Sequence, residues 1–128
     1  MKGKVSEQTL EHLLDAMPFE FSFVDSDDKV QLFNKNGDRI FPRPPSVIGL
    51  KVQACHPSHS LEKVEKILSE MKTGERDQAD FWIDLKGKKI LIRYFAVRNK
   101  EGEYLGCLEV SQDITEIQKL KGEKRLLD

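Results

Sequence analysis

Leu10, Leu13, Leu14 and Met17 recur at i, i+3, i+4, i+7 ahead of Pro18, which predicts an amphipathic helix from about Glu7 to Ala16 that the proline ends. From Phe19 to Phe23 the period changes to two, Asp25 to Asp28 supplies a turn, and Lys29 to Asn34 alternates again. Those features read as a β-hairpin. Between Lys35 and His59 no period holds, and Gly37, Pro42, Pro44, Pro45, Gly49 and Pro57 allow only short helical turns. Leu61, Val64, Ile67, Leu68 and Met71 then mark one face of a helix from about Leu61 to Thr73, with Ser58 or Ser60 as N-cap and Gly74 as its stop.

Three strands follow. Ala79, Phe81, Ile83 and Leu85 alternate with polar residues or Trp82, and Ile90, Ile92, Tyr94 and Ala96 alternate with Leu91, Arg93, Phe95 and Val97. The Lys86-Gly87-Lys88 break makes them a hairpin, with Phe81 expected opposite Tyr94, Ile83 opposite Ile92, and Trp82 stacked beside Arg93. Asn99 to Gly102 turns into a last strand, Tyr104 to Gln112. If Arg98 pairs with Glu103, then Leu105, Cys107 and Glu109 share a face with Ala96, Tyr94 and Ile92. Asp113 and Glu116 have capping-box spacing for a terminal helix. The order predicts an α+β domain on one five-stranded antiparallel sheet, with short crossover helices, one long helix, and flanking N- and C-terminal helices.

Composition narrows the partners. The chain has 128 residues, 21 Lys+Arg against 22 Asp+Glu, and no apolar run near membrane-spanning length. No net field points to nucleic acid or membrane, and a soluble cytoplasmic protein is expected. Two distant cysteines, Cys55 and Cys107, suggest reduced thiols. The stretch can also be a piece of a longer protein.

The element order, with Glu101 to Gly106 leading into Ser111 to Glu116 and Val30 to Asn34 as second strand, resembles a PAS domain over nearly the whole chain. Arg39 to Arg43, Val47 to Gly49, Cys55-His56-Pro57 and Phe81-Trp82 resemble more narrowly the PAS module at the C-terminus of a prokaryotic family of unknown function that carries a hemerythrin-like domain upstream. The resemblance implies an N-terminal flanking helix at 1–17, a PAS core at 18–113 and a C-terminal signalling helix at 114–128. It also implies a cavity between sheet and helices that takes a small ligand or cofactor, such as haem, flavin or a metabolite. PAS domains are usually not enzymes.

Cavity contact is accordingly expected of Cys55, His56, His59, Phe33, Phe81, Ile92, Tyr94, Cys107 and Glu109. His56, ahead of the long helix, is placed for an axial haem ligand. Cys55, His56 and His59 could instead give thiolate and imidazole to zinc, or simply pack at a helix entrance. A cysteine next to a histidine in sequence is not a catalytic dyad, and no orienting third residue is evident. Glu109 on the inner face needs a partner or a proton, unless a one-residue register slip turns it to solvent. Asp25, Asp27 and Asp28 read as a solvated turn. The N-terminal helix is the expected lid on the outer sheet face, and Leu10, Leu13, Leu14, Trp82 and Phe95 the expected homodimer surface. Ile117, Leu120 and Leu127 form a weak coiled-coil seam. The function expected is a sensor that relays ligand binding to its flanking helices. The rival is a ligand-free dimerisation module whose cavity is filled by Phe33, Phe81, Tyr94 and Cys107.

Overall fold

The computed structural model describes residues 1–127. Helix α1 (Glu7–Asp15) leads to strands β1 (Glu20–Asp25) and β2 (Val30–Phe33). Single 3-10 turns at Pro45–Val47 and Val52–Cys55 precede helix α2 (Ser58–Thr73), and β3 (Gln78–Leu85), β4 (Lys88–Arg98) and β5 (Tyr104–Asp113) complete one antiparallel sheet in the order β2-β1-β5-β4-β3. The first and last strands of the chain order thus pair at the centre, and β2 and β3 form the edges.

The inner face carries the core. Val24, Cys107, Ile90, Ile92 and Tyr94 from the sheet pack with Val30, Val52 and the α2 stripe Val64, Leu68 and Met71. The stripe follows from helical periodicity, and Gly74 ends α2 in the left-handed conformation, φ 86°, as its position predicts. The N-terminal end differs from expectation. Pro57 is the N-cap, neither serine caps by side chain, and Ser60 Oγ instead donates to the Pro57 carbonyl. Proline's fixed φ suits this entry.

Both predicted hairpin registers shift by two residues while keeping their faces. Lys86 and Gly87 both adopt positive φ and close a two-residue turn between Leu85 and Lys88, the geometry that matches strand twist. Phe81 therefore pairs with Ile92, Ile83 with Ile90, and Trp82 with Leu91. The guanidinium of Arg93 lies over Phe95 at 5.6 Å, not on Trp82. Between β4 and β5, Tyr94 faces Glu109 and Ala96 faces Cys107. The register breaks where Arg98 pairs with Tyr104 and Val97 with Gly106. This bulge leaves Leu105 exposed at 46% and packs Tyr104 against the core instead. Gly106 sits against β1 so closely that a Cβ there would lie 2.2 Å from the Val24 carbonyl oxygen and 2.7 Å from the Phe23 ring.

Other expectations fail at the periphery. Helix α1 is capped by Ser6 but buries none of its residues, and Leu10 and Leu13 stay exposed. It is tied only at its end, where Asn34 Nδ2 donates to the Leu14 carbonyl at 2.9 Å and the Lys35 N–H to Asp15 Oδ1. It does not form the expected lid, and Trp82 on the outer face is 64% exposed. The predicted terminal helix is also missing. Among the described residues after β5 only Ile117–Lys119 forms a 3-10 turn, and Ile117, Leu120 and Leu127 are exposed. Asp113 accepts from the Thr115 N–H and hydroxyl, while Ile114 N–H and Thr115 Oγ1 bond to the Lys89 backbone. Those bonds extend the β4–β5 pairing past Asp113 and compete with a capping box; Glu116 does not reach back, and no apolar face is buried to hold a helix. The acidic turn is not wholly solvated. Asp28, at φ 64°, is buried and accepts from Lys72 Nζ at 2.9 Å and Gln53 Nε2 at 3.0 Å.

Candidate functional site: a cavity with an open charged pair

Between the inner face of the sheet and the crossover from Arg39 to Ser60 lies a cavity of about 670 Å³, within the usual range of small-molecule sites. Its sheet wall is Glu20, Ser22, Phe81, Ile83, Ile92, Tyr94, Glu109 and Ser111, and its opposite wall comes from Phe41 to Pro44, Val47, Leu50, Ala54 to Pro57, His59 and Ser60. Of the expected contact residues, Cys55, His56, His59, Phe81, Ile92, Tyr94 and Glu109 line it. Phe33 and Cys107 are not among the lining residues. Phe33 packs against the core beneath the Arg39 guanidinium, 5.4 Å from its ring, and Cys107 is fully buried opposite Val24 and Ala96. Neither plugs the cavity, because β2 lies at the far edge and Cys107 is two residues up β5, within the core.

A charged staple holds the crossover against the sheet. Glu20, buried at the start of β1, accepts from the backbone N–H groups of Ile40 and Phe41 and pairs with Arg39 at 3.4 Å. Arg39 in turn donates to the carbonyls of Asn34, Phe41 and Phe21. Asn34 Oδ1 accepts from the Phe21 N–H at 2.7 Å. Every buried charge here is paired and hydrogen-bonded, which is what makes such a cluster tolerable and geometrically specific.

Glu109 is different. Tyr94 flanks it on one side and Ser22 on the other, so register fixes it at the centre of the inner face. Its Oε2 meets Arg43 Nη2 at 3.3 Å, but its Oε1 and the Arg43 Nε are both buried with no hydrogen-bond partner. A guanidinium and carboxylate can make two parallel bonds; this pair makes one and leaves a donor and an acceptor unpartnered in the cavity wall. Burial pushes the Glu109 carboxyl from its ordinary 4.5 up to about 7, against the opposing pull of Arg43 and Arg39. The rise follows from geometry: one contact at 3.3 Å, with Oε1 unserved, compensates little of the lost hydration. The Tyr94 phenol is pushed well above its usual range by burial and by Glu109, and stays protonated. Phe81 meets the Tyr94 ring edge-on, centroids 5.4 Å apart.

His56 ends the second 3-10 turn, and its Nε2 is a third buried polar atom without a partner. Burial and then Arg43 lower its pKa, so the imidazole is neutral near pH 7. His59 and Cys55 also reach the cavity wall, Cys55 Sγ donating only a long 4.0 Å contact to the Lys51 carbonyl. Among the described residues no three His, Cys, Asp or Glu side chains converge as a metal site. The Cys55-His56-Pro57-Ser58-His59 string is therefore not brought together as a chelate. Sequence reasoning missed Arg39, Arg43 and Glu20. The signal for them lay in the carboxylates: acidic residues in alternating strands at buried positions demand cations, and the two arginines of the crossover are four residues apart.

Several comparisons converge on this architecture. The family described as PAS domain matches residues 10–115. A C-terminal domain from Streptococcus mutans is 33% identical and superimposes with a TM-score of 0.87, covering 94% of each chain. Two further PAS domains share the fold: that of BvgS from Bordetella pertussis, 20% identical at TM-score 0.62 over 88% of each chain, and one from Colwellia psychrerythraea, 15% identical at TM-score 0.61 over 85% of this chain and 97% of that one. No curated protein matches the chain significantly. Among the described residues no helix is long and apolar enough to cross a membrane. With a family match over most of its length and a cavity between sheet and crossover, this chain belongs to the PAS domain family.

Proposed function

We propose that this PAS domain is a sensory or regulatory module, without enzymatic activity, whose cavity binds a small organic ligand and passes the binding on to its flanking segments. The observation that carries the reading is the set of three unpartnered buried polar atoms, Glu109 Oε1, Arg43 Nε and His56 Nε2, around one cavity. Each such atom costs about 1–3 kcal/mol when left unsatisfied, so a hydrogen-bonding guest stabilises the fold. Relay follows from connectivity. Glu109 lies on β5, whose last residue Asp113 holds Thr115 through two hydrogen bonds, so a ligand that prefers one position of Glu109 biases the segment at 114–127 by population shift.

His56 would be the residue to hold haem iron in the same cavity, since its Nε2 is free. An organic guest fits better, because the open Glu109–Arg43 edge calls for hydrogen-bonding groups that a porphyrin face does not offer. The test is a metabolite screen read by thermal shift on the protein and on Ala54→Trp, which fills the cavity from its exposed wall. A hit that raises the wild-type Tm and leaves the variant unmoved supports the reading; a complete absence of hits contradicts it.

A second reading, a dimerisation module in the cytoplasm that takes no ligand, is favoured by exposed Leu10, Leu13 and Trp82. Sedimentation equilibrium separates the two oligomeric outcomes: a strict monomer at high concentration removes this reading.

A further inference from the structure

We propose that the ligand is a neutral, planar heteroaromatic molecule with a lactam edge, a ring N–H beside a ring C=O, received by Glu109 Oε1 and Arg43 Nε. The proposal rests on the ligand-binding reading above and specifies its chemistry. Three observations point to it.

The first is the pattern of open valences. Arg43 and Glu109 meet through one contact, Nη2 to Oε2 at 3.3 Å, leaving a donor on one member of the pair and an acceptor on the other. Above pH 7, where Glu109 is ionised, its open oxygen accepts only, and a guanidinium nitrogen donates only. The complementary guest edge is therefore an N–H for Glu109 and a carbonyl oxygen for Arg43, adjacent to each other, which is what a lactam presents. Oxopurines and pterins belong to this class. His56 Nε2 offers a third, separate contact to a more distant polar atom.

The second is charge. The pair compensates itself, and the other arginine at the wall, Arg39, is already bound to Glu20. With Glu109 ionised, above pH 7, a ligand carboxylate would have to draw Arg43 away and leave Glu109 buried without its counter-ion, and a ligand cation would do the converse to Arg43; both outcomes are penalised in a buried site. A neutral head inserts without separating the ions.

The third is shape. Phe41, Phe81 and Tyr94 line the cavity together with Ile83 and Ile92. Aromatic and branched walls of this kind favour a flat apolar body with its polar groups on one edge.

The test uses four bicyclic probes that differ at that edge: 2-quinolone, its N-methyl derivative, quinoline and 2-naphthoate, titrated calorimetrically at about pH 8.5, above the Glu109 transition. A hydrogen bond to a charged group predicts that 2-quinolone binds about tenfold or more tightly than the N-methyl compound and quinoline. The double variant Arg43→Met, Glu109→Leu replaces the ion pair by apolar groups, a change that buried pairs tolerate better than loss of one member. It should keep quinoline and lose the preference for 2-quinolone. Equal binding of quinoline and 2-quinolone to the wild type, or a preference for 2-naphthoate, overturns the lactam proposal and leaves the broader ligand-binding reading standing. Failure of all four also overturns it, and the metabolite screen then decides the broader reading independently, since a hit of other chemistry preserves that reading and a blank screen removes it.

Discussion

Titrating the protein across the Glu109 transition tests the electrostatic account of the cavity without any ligand. The carboxyl rises from 4.5 to about 7 on folding, chiefly through burial; at about 1.4 kcal/mol per pH unit this amounts to about 3 kcal/mol. The sign follows from proton counting. Between 4.5 and 7 the unfolded chain has lost the Glu109 proton and the folded chain keeps it, so stability falls as pH rises. The contribution is whole below the unfolded value and gone above the folded one. Glu109→Gln preserves shape and an acceptor for Arg43 but cannot ionise. Urea unfolding of both proteins from pH 4 to 8.5, with the difference in stability plotted against pH, cancels groups that titrate alike in both. Wild type should lose about 3 kcal/mol relative to the variant, mostly inside that window. Parallel curves, or a wild type that gains on the variant as pH rises, would show that Arg43 dominates the site and refute the open-pair argument.

Gly106→Ala should destabilise by about 1–3 kcal/mol or more in urea, because the added carbon would meet the Val24 carbonyl and Phe23 ring within contact distance. A variant as stable as wild type would show that β1 gives way easily. Arg39→Met should cost about 3–5 kcal/mol by leaving Glu20 buried without its cation, and Glu20→Gln added to it should recover part of the loss; additive losses would contradict the coupling. Reconstitution with haem should give no Soret band dependent on His56. A band abolished by His56→Ala would instead make His56 an iron ligand and displace the organic guest.

What the sequence made legible were the elements with strong periods. The α2 stripe from Val64 to Met71, the strand alternations and the inward placement of Glu109 all follow from side-chain period, and an error of two residues in register leaves faces unchanged. Register itself turned on local geometry: the positive φ of Lys86 and Gly87 and the bulge that exchanges Leu105 for Tyr104. The termini misled because amphipathic spacing predicts a helix face without saying what covers it. Leu10 and Leu13 form such a face and remain exposed. The site was half legible. Cys55, His56 and His59 were placed at the wall by position, but the residues that answer the carboxylates, Arg39 and Arg43, lie in the irregular crossover where no period marks orientation.

A small molecule bound at Glu109, Arg43 and His56 should alter the segment following β5. The most direct measurement is an amide NMR spectrum of the protein with and without a hit from the metabolite screen. Shifts at Arg43, His56 and Glu109, accompanied by shifts from Asp113 to Lys119, are the predicted result. Changes confined to the outer face around Trp82 and Phe95, or to the cavity with no response beyond Asp113, would contradict it.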